Sequence, residues 1–233
     1  MRKELSNEGS FTDCRVVPCD RLCSTWCGKT GEAVKVAIIG TGRMGKGFAT
    51  ALALKHEVTV GSRDPNRARQ TASKTGAARG TTYAQAAADA EVVILTVPWA
   101  AIEDTLGQLG ELNQTVVIDV SFPYRKAERE ALAQEGSSTA EEVQKRLPHA
   151  RVVKGWNHVH AQHLTAPEVD GIAASVLLAG DDPQGKQVVF ALARDMGFHP
   201  VDVGPLKATH ELERLVGMML FVRLGPLRVL SPS

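Results

Sequence analysis

The stretch Val34-Lys35-Val36-Ala37-Ile38-Ile39-Gly40-Thr41-Gly42-Arg43-Met44-Gly45 decides the fold. Its first six residues begin as an alternation and end as a continuous apolar run, the pattern of a strand entering the buried middle of a parallel sheet. Gly40 ends that run and opens a G-x-G-x-x-G turn. A helical stretch from Lys46 to Lys55 and a second strand from Glu57 to Val60 follow directly. Strand, glycine turn, helix and strand in one short unit separate a dinucleotide-binding turn from a chance spacing of glycines. The three glycines then differ in what they permit: Gly40 allows the tight turn, Gly42 lets the backbone approach a pyrophosphate, and Gly45 lets the helix pack close to the sheet. The start of the helix adds unpaired N–H groups and the positive end of its dipole.

The residues after the second strand choose the dinucleotide. A site for NAD places an Asp or Glu there to accept from the ribose hydroxyls. This chain has Gly61-Ser62-Arg63 instead. A carboxylate would repel a 2′-phosphate, whereas a serine hydroxyl donates to it and a guanidinium clamps it with charge-assisted bonds. Arg67, one helical turn on, adds positive charge. Asp64 precedes Pro65 and reads as the N-cap of the next helix rather than a ribose ligand. The pattern therefore favours NADP(H).

Outward from this unit the alternation continues. Helix Pro65 to Thr75, a short strand near Ala77 to Arg79, helix Tyr83 to Ala88, strand Glu91 to Val97, helix Ala100 to Leu109 and strand Thr115 to Val120 are expected. The polar segment Ser121 to Leu147 reads as a loop and one helix starting near Ser138 or Thr139. Strands at Ala150 to Lys154, Ser175 to Leu178 and His199 to Val203, a helix from Gln184 to Met196 and a last helix from about Lys207 to Val222 complete the reading. The expected fold is α/β, a doubly wound, Rossmann-type, mostly parallel sheet with extra C-terminal strands and a terminal helix. Three parts are expected: a leader over 1–33, an NADP-binding domain over 34–124, and a part over 125–233 that completes the sheet and the acceptor site.

Ligands of such sheets bind at the carboxyl ends of the strands. Three segments fall there. Thr96-Val97-Pro98-Trp99 offers a flat indole face, for a ring or for packing. Asp119-Val120-Ser121-Phe122-Pro123 offers a turn whose backbone faces the cofactor. Lys154-Gly155-Trp156-Asn157-His158-Val159-His160-Ala161 offers Asn157, a donor and an acceptor on one side chain, as recognition of a carboxamide or an isoalloxazine edge requires. Lys154 reads either as the neutraliser of an acidic ligand or as a strand end in solvent. His158, His160 and His163 stand close together, but no carboxylate or cysteine accompanies them before Glu168, and no metal site is assigned.

The remainder of the chain mostly excludes. Among 233 residues, 27 basic against 26 acidic side chains leave a net charge of +1, which lacks the footprint of a nucleic-acid or anionic-membrane binder. The apolar run Leu215 to Val222 stops at Arg223, short of the roughly 18–20 residues of a membrane span. A cytoplasmic location is the default expectation, and residues 1–33 read as a poorly ordered leader. That leader holds Cys14, Cys19, Cys23 and Cys27, all 4 cysteines of the chain, so disulfides cannot hold the main domain together. Leu215, Met218, Met219 and Val222 form an apolar face that serves either a homodimer or the core.

Taken together, Gly40 to Gly45, Gly61-Ser62-Arg63, Val97-Pro98-Trp99, Gly180-Asp181-Asp182 and Pro200 to Leu206 resemble the NADP oxidoreductases dependent on coenzyme F420, a deazaflavin. The resemblance runs from about Val34 to Leu224. It implies hydride transfer between NADP(H) and a deazaflavin, with NADP held by Thr41 to Met44, Ser62, Arg63, Arg67, Ala101 and Ala161, and the deazaflavin against Asn157 to Val159. In that last loop the chain departs from the family's His-Thr-Ile-Pro type segment. Lys154-Gly155-Trp156-Asn157 is instead similar to the Lys-Ala-Phe-Asn of the cytosolic domain of six-transmembrane metalloreductases, which pass electrons from NADPH through flavin to haem and metal ions. The expected activity is thus an NADPH-dependent oxidoreductase with F420, FMN or FAD as acceptor and no obligatory acid or base. A flavin or ferric reductase, and an NADPH-binding sensor module without turnover, stand as alternatives.

Overall fold

The computed structural model describes residues 32–222, and those from Ala33 on form one compact unit. The chain alternates through β1 (Lys35–Ile39), α1 (Arg43–Leu52), β2 (Glu57–Gly61), α2 (Pro65–Thr75), β3 (Arg79–Thr81), α3 (Tyr83–Ala87), β4 (Val92–Leu95), α4 (Ile102–Leu106) and β5 (Val116–Asp119). Two successive helices, α5 (Lys126–Gln134) and α6 (Thr139–Arg146), lead to β6 (Arg151–Lys154). A short hairpin of β7 (Glu168–Val169) and β8 (Ile172–Ala173) precedes β9 (Ser175–Gly180), α7 (Pro183–Asp195), β10 (His199–Asp202) and α8 (Thr209–Val222).

The main sheet has 8 strands in the order β10-β9-β6-β5-β4-β1-β2-β3. Every neighbouring pair is parallel except β6 and β9. The sheet is the expected doubly wound one, with the order reversing between β1 and β4, where such sheets take their ligands. All of β4 and β5 and nearly all of β1 are buried, because helices cover both faces of the central strands. β9 meets β6 only through Val153↔Gly180 and Lys154↔Ala179. Antiparallel register then carries Ser175 to Leu178 past the end of β6, alongside the segment that follows Lys154.

Two boundaries differ from the sequence reading in ways that matter. Helix α1 begins at Arg43, not Lys46, because Gly42 takes the N-cap position and the last residues of the glycine motif are already helical. The polar segment before β6 holds two helices, not one. In α5 only Leu132 is buried, so no apolar stripe marked it, and its strong helix formers with Glu128 in the first turn carry it instead. Helix α8 turns Leu212, Val216 and Met219 inward, so of the expected apolar face Met219 is core, Leu215 is half-buried and Met218 is exposed. Among the described residues no helix is long and apolar enough to cross a membrane.

Candidate functional site: the carboxyl edge of the sheet

The glycine turn is a packed knot with one open side. Gly40 has φ +124°, and its N–H donates to the Gly61 carbonyl at 3.0 Å, which ties the end of β1 to the end of β2. A Cβ on Gly40 would stand 2.6 Å from Thr96 Oγ1, and one on Gly45 only 2.1 Å from the Gly40 carbonyl oxygen. The Thr96 hydroxyl donates to the Ile39 carbonyl at 2.9 Å, so Thr96 is bound into the knot from the β4 side. Gly42 is the contrast: a Cβ there would meet nothing within 4 Å. Thr41 and Met44 are half-buried and Arg43 is exposed. Helix α1 has no side-chain cap and no acidic residue in its first turn, so its first N–H groups are left for an anion.

Past β2 stand the residues expected to meet a 2′-phosphate. Asp64 caps α2, accepting from the Asn66 N–H at 2.9 Å, and Pro65 occupies the first turn. Its carboxylate is thereby turned to the helix. Ser62 is buried, its Oγ accepts from the Asp64 N–H at 3.2 Å, and the hydroxyl retains a hydrogen to donate. Arg63 and Arg67 are exposed. Among the described residues Arg43, Arg63 and Arg67 enter no ion pair with a described carboxylate.

At the end of β4, Val97 is buried and Pro98 exposed, and Trp99 to Ala101 form a 3₁₀ turn leading into α4. Trp99 and Ala101 are half-buried against the cluster that includes Ile102, Leu106 and Val143. The indole is thus both a packing residue and partly open.

The ends of β5 and β6 hold a polar network that the sequence reading missed. Asp119 and Lys154 are register partners, and both side chains are fully buried. Lys154 Nζ donates to Asp119 Oδ2 at 2.8 Å, to the Ser121 carbonyl at 2.6 Å and to Thr139 Oγ1 at 2.6 Å. Glu213 on α8 stands 3.9 Å from Nζ and accepts from the Thr139 N–H at 3.0 Å. Asp119 Oδ1 accepts from the Ser121 N–H at 2.9 Å, so the Ser121 backbone is held from both sides. The strand end in solvent is corrected: the Lys154 ammonium is fully buried and meets three protein acceptors. Desolvating the pair is costly, and the dense hydrogen bonding offsets that cost. Its partners come from remote segments, and no local spacing signals it.

The next segment is equally enclosed. Trp156 has φ +53° and lies edge-on to Phe48 at 5.4 Å and Phe198 at 6.2 Å. Asn157, His158 and Val159 are buried, and Ala161 starts a 3₁₀ turn that packs on α1, where a Cβ on Gly47 would stand 2.7 Å from Leu164 Cδ1. Burial lowers the His158 pKa to about 4, so the ring is neutral near pH 7. Ser121 Oγ, Trp156 Nε1 and Asn157 Nδ2 are buried without a hydrogen-bond partner. Leaving such a group unpaired costs about 1–3 kcal/mol. All three lie just beyond β5 and β6. His160 is exposed and His163 half-buried, and among the described residues no three His, Cys, Asp or Glu side chains form a metal set. Cys14, Cys19, Cys23 and Cys27 lie outside the described residues.

A doubly wound sheet with a side-chain-free turn at β1, basic groups after β2 and an enclosed polar edge at β5 and β6 defines a dinucleotide-dependent oxidoreductase. The family described as NADP oxidoreductase, coenzyme F420-dependent, matches residues 35–123. The F420-dependent NADP reductase of Methanothermobacter marburgensis is 31% identical over 207 residues, covering 80% of this chain and 91% of the relative. Rat metalloreductase STEAP3 is 34% identical over 186 residues, and the chain spans only 36% of its length. A crystal structure from Arthrobacter sp. FB24, provisionally described as an F420-dependent NADP reductase, superposes with TM-score 0.72 at 26% identity, covering 82% of this chain and 93% of that one. The chain belongs to the F420-dependent NADP oxidoreductase family. It is an NADP-dependent oxidoreductase with NADP(H) as cofactor.

Proposed function

We propose that the chain catalyses hydride exchange between NADP(H) and a deazaflavin or flavin-type acceptor, F420 being the first candidate. The observation that carries this reading is that Ser121, Trp156 and Asn157, on the segments that follow the carboxyl ends of β5 and β6, each hold a buried polar atom without a partner. When bound, NADPH supplies a hydride, and a proton from solvent balances the reduction of the acceptor. Gly40, Gly42 and Gly45, with Thr41, Arg43 and Met44, would hold the pyrophosphate. Ser62, Arg63 and Arg67 would hold the 2′-phosphate. Thr96 fixes the turn from behind. Val97, Pro98, Trp99, Ala101 and Ala161 would border the cofactor, and Asn157 and Val159 the acceptor ring.

The buried titratable groups described at this edge are not set up for proton transfer. Lys154 and Asp119 are consumed by each other, and His158 is neutral and enclosed. That suits a reaction between two stacked rings, for which orientation and exclusion of water are the protein's main contributions. The Lys154-Gly155-Trp156-Asn157 segment and the STEAP3 similarity favour a second reading, an NADPH:flavin or ferric reductase. Anaerobic NADPH oxidation followed by absorbance, with F420 and FMN as separate acceptors, decides. Bleaching of F420 supports the first reading, turnover with FMN alone supports the second, and turnover with neither overturns both.

A further inference from the structure

His158 and Asn157 together determine which atom the edge offers to a ligand. The imidazole meets two different neighbours: Nε2 lies 3.3 Å from the Ser175 carbonyl oxygen, where β9 begins, and Nδ1 lies 3.3 Å from the Asn157 amide. A strand carbonyl accepts only and cannot turn over, so Nε2 carries the hydrogen. Burial keeps a second hydrogen off the ring near pH 7, and Nδ1 retains its lone pair.

A primary amide has two orientations of nearly equal shape, exchanged by a half-turn of its last torsion. In one, Asn157 Oδ1 faces Nδ1 at 3.3 Å, lone pair against lone pair, and Nδ2 is the buried atom without a partner. In the other, Nδ2 donates to Nδ1, and the carbonyl oxygen takes the buried place where the nitrogen finds no acceptor. We propose that His158 locks Asn157 in the second orientation, so that this position presents a buried acceptor and selects a ligand edge carrying an amide or imide N–H. The nicotinamide carboxamide and the pyrimidine edge of a flavin or deazaflavin both have that chemistry. The proposal rests on the reading of Asn157 as a ring contact given above. It makes His158 a positioning residue, acting through its neighbour.

Long-range ¹H–¹⁵N correlation of the full chain labelled at histidine tests the lock, with the His158 signal identified by its loss in His158→Gln. The expected result at pH 7 is a bare Nδ1 and a protonated Nε2. The opposite tautomer, or a charged ring, overturns the proposal while leaving the proposed activity untouched. Equilibrium titrations test the ligand side with two matched pairs: NADP⁺ against its 3-acetylpyridine analogue, in which methyl replaces the amide nitrogen, and FMN against 3-methyl-FMN. In at least one pair the member without the N–H is expected to bind about tenfold more weakly, one hydrogen bond's worth. The pair that responds identifies the ring at Asn157. In His158→Leu the discrimination is expected to shrink to about threefold or less, since the amide is then free to turn. Should that variant fail to fold, the wild-type pairs still decide: both pairs binding alike within about twofold overturns the proposal. NADPH oxidation is measured independently, so loss of the functional reading is recognised separately.

Discussion

The two halves of the carboxyl edge are built on opposite principles. The β1–β2 half works by the absence of side chains: Gly40 and Gly45 clear the turn, and Gly42 faces open space. The β5–β6 half works by filling space with polar groups, from Lys154 and Asp119 through Thr139 to Glu213 on α8. A backbone cradle suits phosphates, which every dinucleotide carries. An enclosed set of directed donors and acceptors suits a ring whose edge must be told from others. On the proposed reading, the general part of the ligand falls to local chain geometry and the particular part to tertiary structure.

The comparison breaks most visibly at Lys154. Lys154→Met leaves Asp119 and Glu213 without their cation and is expected to cost about 3–5 kcal/mol in denaturant unfolding. A loss below about 1 kcal/mol would show that the network does not hold the β5–β6 half together. Acid gives the next largest effect. His158 has its folded pKa lowered to about 4 from 6.5, so the unfolded chain takes up a proton first as pH falls. Its contribution is fully present above pH 6.5 and is lost between there and pH 4, on the order of 3 kcal/mol. A His158→Gln variant with an unchanged acid limb would refute that assignment.

The glycines sharpen the contrast. Gly45→Ala, with its Cβ 2.1 Å from a backbone oxygen, should lower both stability and NADPH affinity. Gly42→Ala should leave stability within about 1 kcal/mol and still weaken NADPH binding about tenfold. Equal losses in both properties at Gly42 would mean that its open side is not the phosphate side. The smallest effect belongs to Arg63→Ala, expected to reduce the preference for NADPH over NADH about tenfold with no change in melting temperature. An unchanged preference would remove Arg63 from the 2′-phosphate site.

How far each half could be read from sequence follows from the same division. β1, the glycine turn and β2 are contiguous, and Asp64-Pro65 announces the start of α2 within two residues. Local pattern was sufficient there. Helix α5 escaped because a helix with one buried residue has no periodicity to read. Lys154 escaped because burial of a charge depends on Asp119, Thr139 and Glu213, and a strand-end lysine looks the same whether it meets water or a carboxylate. Asn157 was visible as a residue with both a donor and an acceptor. Which of them it presents depends on His158 and the Ser175 carbonyl, and is a tertiary property.

The antiparallel neighbour of β6 has a consequence for the shape of the crevice. Ser175 to Leu178 pair with β10 beyond the last rung shared with β6 and run past its end by about 13 Å. The sheet is therefore not flush at this side: a two-stranded fence stands above it, and Gly155 lacks a side chain where Leu178 comes within 2.6 Å of its Cβ position. The carboxyl edge is thus stepped, lower along β1 to β6 and raised at β9 and β10, so its two ends differ in height as well as in chemistry.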